Sequence, residues 1–384
     1  MSSPASPPGR AVRSRRSAID VAVVGVADPA SRAILRALVT AAARGTTLPG
    51  TSADEARIGA VRAIDTEPPP VGGVEYHPID PSDPQLVEAL RGVHGAAYVA
   101  ASTNLAADLA LGARARRERS LRRTQTVITA AAAAGVRHLV VVTGAQVYGA
   151  HPDNPVPLND DAPLRAAADE GQVGDLMDAE QLVAVARDVH PGLAVTVVRP
   201  AALVGEGVDT LTTRHFEAPR LLTVRGAEPA WQFCHVDDLA SAVAVVLARQ
   251  LGDVVTVGSP GHLDNRQLER LTGMRRVELS LSAAMGTADR LHRVGVLPAP
   301  ASDLAFVAFP WAVDSRVLGD NGWSATYDNE TCLGVLLDSI RGSHAVAARR
   351  LDRKEAALGA ASAAVALVGT AAIMRRRRRK GGSA

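Results

Sequence analysis

The chain has 384 residues, enough for one large domain or two modest ones around a substantial core. Its formal net charge is +2, so no overall field favours nucleic acid as a partner. Aromatic residues make up only 3%, so Val, Leu and Ala have to fill the interior.

In chain order, Met1–Ser17 is rich in Ser, Pro and Arg without an apolar run. It is expected to be a disordered basic tail rather than a secretory signal. Ile19–Val24 is a short apolar run of the kind a buried parallel strand shows. A turn and a helix over Arg32–Ala43 follow, then a loop over Arg44–Ala56. Ala60–Ile64 is a second strand ending at Asp65, and Val74–Tyr76 a third. Asp83-Pro84 has the N-cap and first-turn chemistry of a helix start. Ala96–Ala101 is the fourth strand. Arg119–Ala134 reads as a helix closed by Gly135. His138–Val142, the helix containing Gln181–Asp188, and Ala194–Val198 with Arg199-Pro200 complete the alternation. Alternating strands and helices imply an α/β doubly wound parallel sheet, a Rossmann-type fold over residues 18–200.

After Ala201 the elements shorten. A smaller C-terminal lobe over residues 201–345 is expected, intertwined with the sheet because Val254–Val257 looks like a returning strand. Asp237 or Asp238 is expected to cap a helix, with His235 packing beside the sheet. The two cysteines, Cys234 and Cys332, belong to no CxxC or Cys/His cluster, so neither a metal site nor a disulfide is expected. Ala356–Met374 is uncharged and apolar, and residues 375–380 are basic. As a helix this C-terminal segment would just reach across a bilayer core. Membrane association through 356–380, with the rest cytoplasmic, is weighed there against a soluble alanine-rich helix followed by a basic tail, residues 375–384.

Several segments resemble the NAD-dependent epimerase/dehydratase family, the extended short-chain dehydrogenase/reductases. Val24-Gly25-Val26-Ala27-Asp28-Pro29-Ala30-Ser31 is similar to its glycine-rich turn, with Asp28 and Ser31 at the second and third glycines. Residues 74–80 and 90–101, the Val-Tyr-Gly at 147–149, Arg199-Pro200, residues 233–240 and Asn321-Gly322-Trp323 match further landmarks in order. The resemblance implies a weak NAD site touching Gly25, Ala27, Asp28, Asp65, Asp80, Ala100, Ala101, Thr143 and Pro200. Asp65 would face the adenosine ribose and Asp80 the adenine. At Asp28 the competing role is a helix cap, which would repel a diphosphate.

The family's chemistry uses a Tyr-x-x-x-Lys pair, in which a nearby cation tunes a phenol for proton transfer. The pair should fall within 169–177, where neither residue type occurs, and the only lysines are Lys354 and Lys380. Gly144 stands at the orienting serine position. Tyr148 has no neighbouring cation in sequence, so no catalytic residue is assigned. The sequence therefore points to a catalytically degenerate family member, a dinucleotide or small-molecule sensor or scaffold. One alternative is an oxidoreductase or nucleotide-sugar epimerase using Thr143, His235 or an aspartate. The other is a membrane-tethered structural partner.

Overall fold

The computed structural model describes residues 18–44, 57–293 and 300–349. The first half contains strands β1 (Ala18–Val24), β2 (Arg57–Ile64), β3 (Glu75–His77), β4 (Gly95–Val99), β5 (His138–Val142) and β6 (Ala194–Pro200). Between them run helices α1 (Pro29–Arg44), α2 (Leu86–Leu90), α3 (Leu105–Leu111), α4 (Ala113–Ala134) and α5 (Gln172–Val189). The second half adds β7 (Ala202–Val204), α6 (Leu211–His215), β8 (Leu221–Val224), β9 (Phe233–His235), α7 (Val236–Arg249) and β10 (Val254–Val257). It ends with α8 (Asn265–Thr272), β11 (Arg276–Leu279), α9 (Leu281–Arg293), α10 (Ala305–Ala308), α11 (Arg316–Asp320) and α12 (Asn329–Arg349).

Seven strands form one sheet in the order β10-β6-β5-β4-β1-β2-β3, and every pairing is parallel. The cause is visible in the strands. Val21 and Val23 of β1 face one layer, while Ala22 and Val24 face the other, and all four are fully buried. A sheet buried on both faces needs such continuous apolar runs. On one face α1 and α7 pack over Val140, Val142 and Val198. On the other, α2, α4 and α5 supply Leu86, Leu90, Val127, Ile128 and Val183. Each such side chain, fully buried, stabilises the fold by roughly 1.5–3 kcal/mol.

β10 is the returning strand and lies along β6, so the sheet needs residues from both halves. Two small parallel pairs, β7 with β9 and β8 with β11, stand outside it.

The structure moves some boundaries. α4 begins at Ala113, before the expected start, and still ends at Gly135, whose φ of 77° closes the helix without a Cβ in the way. The aspartate-proline start at 83–84 forms a turn, in which Asp83 Oδ1 accepts from Gln85 N, and α2 begins only at Leu86. The cap of α7 is His235, whose Nδ1 accepts from Asp237 N at 3.2 Å. The carboxylate of Asp238 instead accepts from Thr326 N and Tyr327 N at 2.9 and 3.0 Å. Residues 1–17, most of the loop expected at 44–56, and the apolar and basic segments at 356–384 lie outside the described residues. Among the described residues no helix is long and apolar enough to cross a membrane.

Candidate functional site

A cavity of about 720 Å³ opens at the C-terminal ends of β1, β4, β5 and β6. This is where a doubly wound sheet leaves a crevice. Gly25, Ala27, Asp28, Asp65, Ala100, Ala101, Thr143 and Pro200 all line it. Asp80 is not a lining residue. Its carboxylate accepts from Ser82 N, Ser82 Oγ and Arg123, and reaches the cavity only through that arginine.

The turn after β1 is closed on itself. Gly25, at φ 83°, turns the chain, and its N–H donates to Ile64 O at 2.8 Å. The first positions of α1 then have no donor to spare. Pro29 has no N–H. Ala30 N donates to Asp28 Oδ1 at 2.9 Å, and Arg32 N to Asp28 O at 3.0 Å. Ser31 N also bonds the Asp28 carboxylate. That carboxylate reaches across the crevice to Thr103, accepting from its N and Oγ1 at 2.8 Å each. Burial raises the Asp28 pKa above the usual carboxylate value, with the bonds from Thr103, Ala30 and Ser31 opposing. Beside it, Asp65 Oδ2 accepts from Ala27 N at 2.8 Å, and Oδ1 from Thr66 N at 2.7 Å. The donors that a helix N-terminus offers to anions are thus satisfied by two of the chain's own carboxylates.

The opposite wall is the start of α5. Gln172 and Leu176, four residues apart on one helix face, both line the cavity where a tyrosine–lysine pair would have to stand. Gln172 Nε2 donates to Asp108 Oδ2 at 2.7 Å. Leucine has no proton to exchange.

Behind the lining, Thr143 Oγ1 donates to Glu180 Oε1 at 2.7 Å. Glu180 is held by two bonds from Arg199, each 2.9 Å. Arg199 also donates to Tyr148 Oη at 2.9 Å. Tyr148 therefore has a cation beside it in space, which the sequence did not show. Burial still raises its pKa, its hydroxyl donates to Asp160 O, and its ring is fully buried. It lies outside the cavity lining. This network packs and neutralises itself.

Sequence reasoning missed three groups. Arg116, Arg119 and Arg123 line the cavity from one face of α4, a spacing of three and then four that was open to a helical-periodicity test. Each has an acidic partner: Asp175 at 2.6 Å, Asp108 at 3.1 Å and Asp80 at 2.9 Å. The other lining arginines, Arg32 and Arg214, pair with Glu67 and Asp209. Asp303, Leu304, Phe306 and Val307 come from the turn before α10 and from α10 itself, and nothing in the sequence tied them to the sheet. Among the described residues no group of three or more His, Cys, Asp or Glu is placed to hold a metal ion.

The model of the NAD dependent epimerase/dehydratase family matches residues 39–258. The chain belongs to that family. The match begins beyond the turn in which Asp28 and Ser31 replace glycine. Among curated proteins, the "Uncharacterized protein Rv0501" of Mycobacterium tuberculosis is 28% identical over 141 residues. That alignment covers 37% of this chain and 38% of the relative, so the chain spans well under half of the length of the curated relative it matches. Solved family folds are similar over more of the chain. The dTDP-glucose 4,6-dehydratase DesIV of Streptomyces venezuelae, solved with NAD, has a TM-score of 0.60 at 18% identity, covering 85% of this chain and 98% of its own. UDP-glucose 4-epimerase of Thermotoga maritima, solved with UDP-glucose, has a TM-score of 0.60 at 14% identity, covering 85% and 100%. At these identities the likeness is one of fold.

Proposed function

We propose that this epimerase/dehydratase family member is a small-molecule binding protein, a sensor or scaffold, that does not run the family's tyrosine–lysine proton transfer. The observation that carries the proposal is the Asp28 carboxylate at the start of α1. It takes the helix-end amides and puts its own carboxyl oxygens where a pyrophosphate would sit. Asp65 supports the same reading, because its oxygens accept from Ala27, Thr66 N and Thr66 Oγ1 within the chain. A dinucleotide in the family's usual pose does not fit this turn. Gln172 and Leu176 on the α5 wall add that neither a phenol nor an ammonium faces the cavity there.

In this proposal residues 18–200 supply the framework, residues 201–345 contribute the second wall, and the protein works in the cytoplasm. Titration of the purified protein with NAD(H) and NADP(H) tests it. No binding at micromolar concentration is expected, and no cofactor reduction with UDP- or dTDP-sugars. Micromolar binding accompanied by turnover would remove the proposal. Attachment to a membrane through 356–380 is a separate proposal, resting on apolar length and flanking arginines. Deleting 356–384 and fractionating cells tests it, and an unchanged distribution would end it.

A further inference from the structure

The acidic groups around the cavity fall into two classes. Asp28, Asp65, Asp80, Asp108 and Asp209 accept hydrogen bonds from backbone amides, hydroxyls, amides or arginines of the chain itself. Asp303 accepts none among the described residues. Its Oδ2 is buried without a hydrogen-bond partner, and neither oxygen has an ion-pair partner among the described residues. Asp175, also on the lining, is half-served. Its Oδ2 accepts from Arg116 Nε at 2.6 Å, while Oδ1 is buried and unpartnered. A buried acceptor without a donor costs roughly 1–3 kcal/mol, and both carboxyl groups belong to residues that line the cavity, so that cost sits beside the space a ligand would fill.

The charge balance says which kind. Among the described residues the lining carries five arginines, each with an acid within ion-pair distance, against six carboxyl groups, so its balance does not favour an anionic ligand. The charged groups felt at Asp303 are Asp169, which opposes its ionisation, and the more distant-acting Arg116, which favours it. The helix α9 packs on the same turn and buries only Ala284 and Ala288. Burial and then Asp169 raise the Asp303 pKa to about 7. Next to it the lining is apolar, with Leu176, Leu304, Phe306 and Val307.

We propose that Asp303 anchors the protonated amine of a ligand that carries no phosphate and lays its apolar body against Leu176, Leu304, Phe306 and Val307. The inference rests on the binding-protein reading above and names the chemistry of its ligand. A cation at Asp303 stabilises the ionised carboxyl, so binding expels a proton whenever the free protein holds one.

The test is calorimetric titration of the full chain with hexylammonium, hexanoate and hexan-1-ol, alongside NAD. Hexylammonium should bind and hexanoate should not. Its affinity should rise about tenfold per pH unit up to about 7 and then level off, as expected for a site that needs the ionised carboxyl. Near pH 6.5 the heat should vary with the ionisation enthalpy of the buffer, which reports the expelled proton. Asp303→Asn, isosteric and better suited to burial, should lose at least tenfold in hexylammonium affinity and the pH slope with it. Absence of hexylammonium binding, equal binding by Asp303→Asn, or equal binding of hexanoate would overturn the inference. NAD-dependent turnover would instead sink the binding-protein reading. The two failures therefore give different signals.

Discussion

Two positions along α5 carry buried carboxylates in opposite circumstances. Glu180, toward the middle of the helix, has both oxygens bonded by Arg199 and receives a further bond from Thr143. Asp175, about one and a half turns earlier, keeps an unpartnered oxygen among the described residues and lines the same cavity as Asp303. Glu180 is behind the lining and Asp175 on it. The contrast separates charge that holds the fold from charge left for something else. A buried ion pair whose members satisfy each other is framework, whereas an acceptor without a donor beside an open cavity is an invitation to a ligand.

The sharpest way to break this comparison is to remove Glu180. Glu180→Ala leaves the Arg199 guanidinium buried without its acid, and should cost about 3–5 kcal/mol in urea unfolding. A loss under 1 kcal/mol would make the network ornamental and end the contrast.

Asp303→Asn should act in the other direction. The folded carboxyl titrates at about 7 against 3.8 for the exposed group. The folded state therefore holds the proton more tightly, and Asp303 costs stability increasingly as pH rises from about 4 to 7. Removing that cost should stabilise the protein by roughly 2–4 kcal/mol at pH 8 and leave it unchanged below pH 4. Destabilisation at pH 8 would show that Asp303 is paired after all.

A slightly smaller effect is expected at His215, which stacks on Trp231 and has no hydrogen-bond partner at Nε2 among the described residues. Burial lowers its pKa to about 4. The unfolded chain takes up that proton near 6.5, so the stability is present above pH 6.5 and drains away as pH falls toward 4. His215→Phe should flatten this part of the stability–pH curve by about 2–3 kcal/mol, read from denaturant midpoints at successive pH values.

The smallest change is Asp28→Gly. It removes a helix cap and the two bonds from Thr103, and should cost about 2 kcal/mol. It should also return donors to the end of α1, so that inorganic pyrophosphate, silent with the wild type, binds the variant. Pyrophosphate binding to both proteins alike would show that Asp28 does not guard the turn.

The central strands were legible because burial on both faces leaves an unmixed apolar signature, as in Val21–Val24 and His138–Val142. The same logic found the returning strand at Val254–Val257. The beginning of α4, Ala113–Glu118, was not legible, because it consists of alanine and the charged Arg114, Arg116, Arg117 and Glu118 and so lacks the apolar stripe that announces a helix. The beginning of α5 was missed for a different reason. Gly171 offers no side-chain cap, so no local residue marks the start. The floor of the cavity followed from the glycine turn and the strand ends. Its far wall did not, because Asp303 and Phe306 follow α5 by more than a hundred residues and nothing local ties them to the sheet. The pairing of Tyr148 with Arg199 joins residues 51 positions apart and has no local trace.

The placement of β10 fixes how this protein can be made and cut. β6 is covered on its outer side only when Val254–Val257 arrives, and Thr256 then ties that strand to Asp160 through its N and Oγ1. A nascent chain halted before residue 257, or a fragment trimmed near 200, presents a bare hydrophobic strand edge, the usual template for aggregation. Synthesis thus passes through a vulnerable interval of more than fifty residues, and soluble expression of the first half alone is not to be expected.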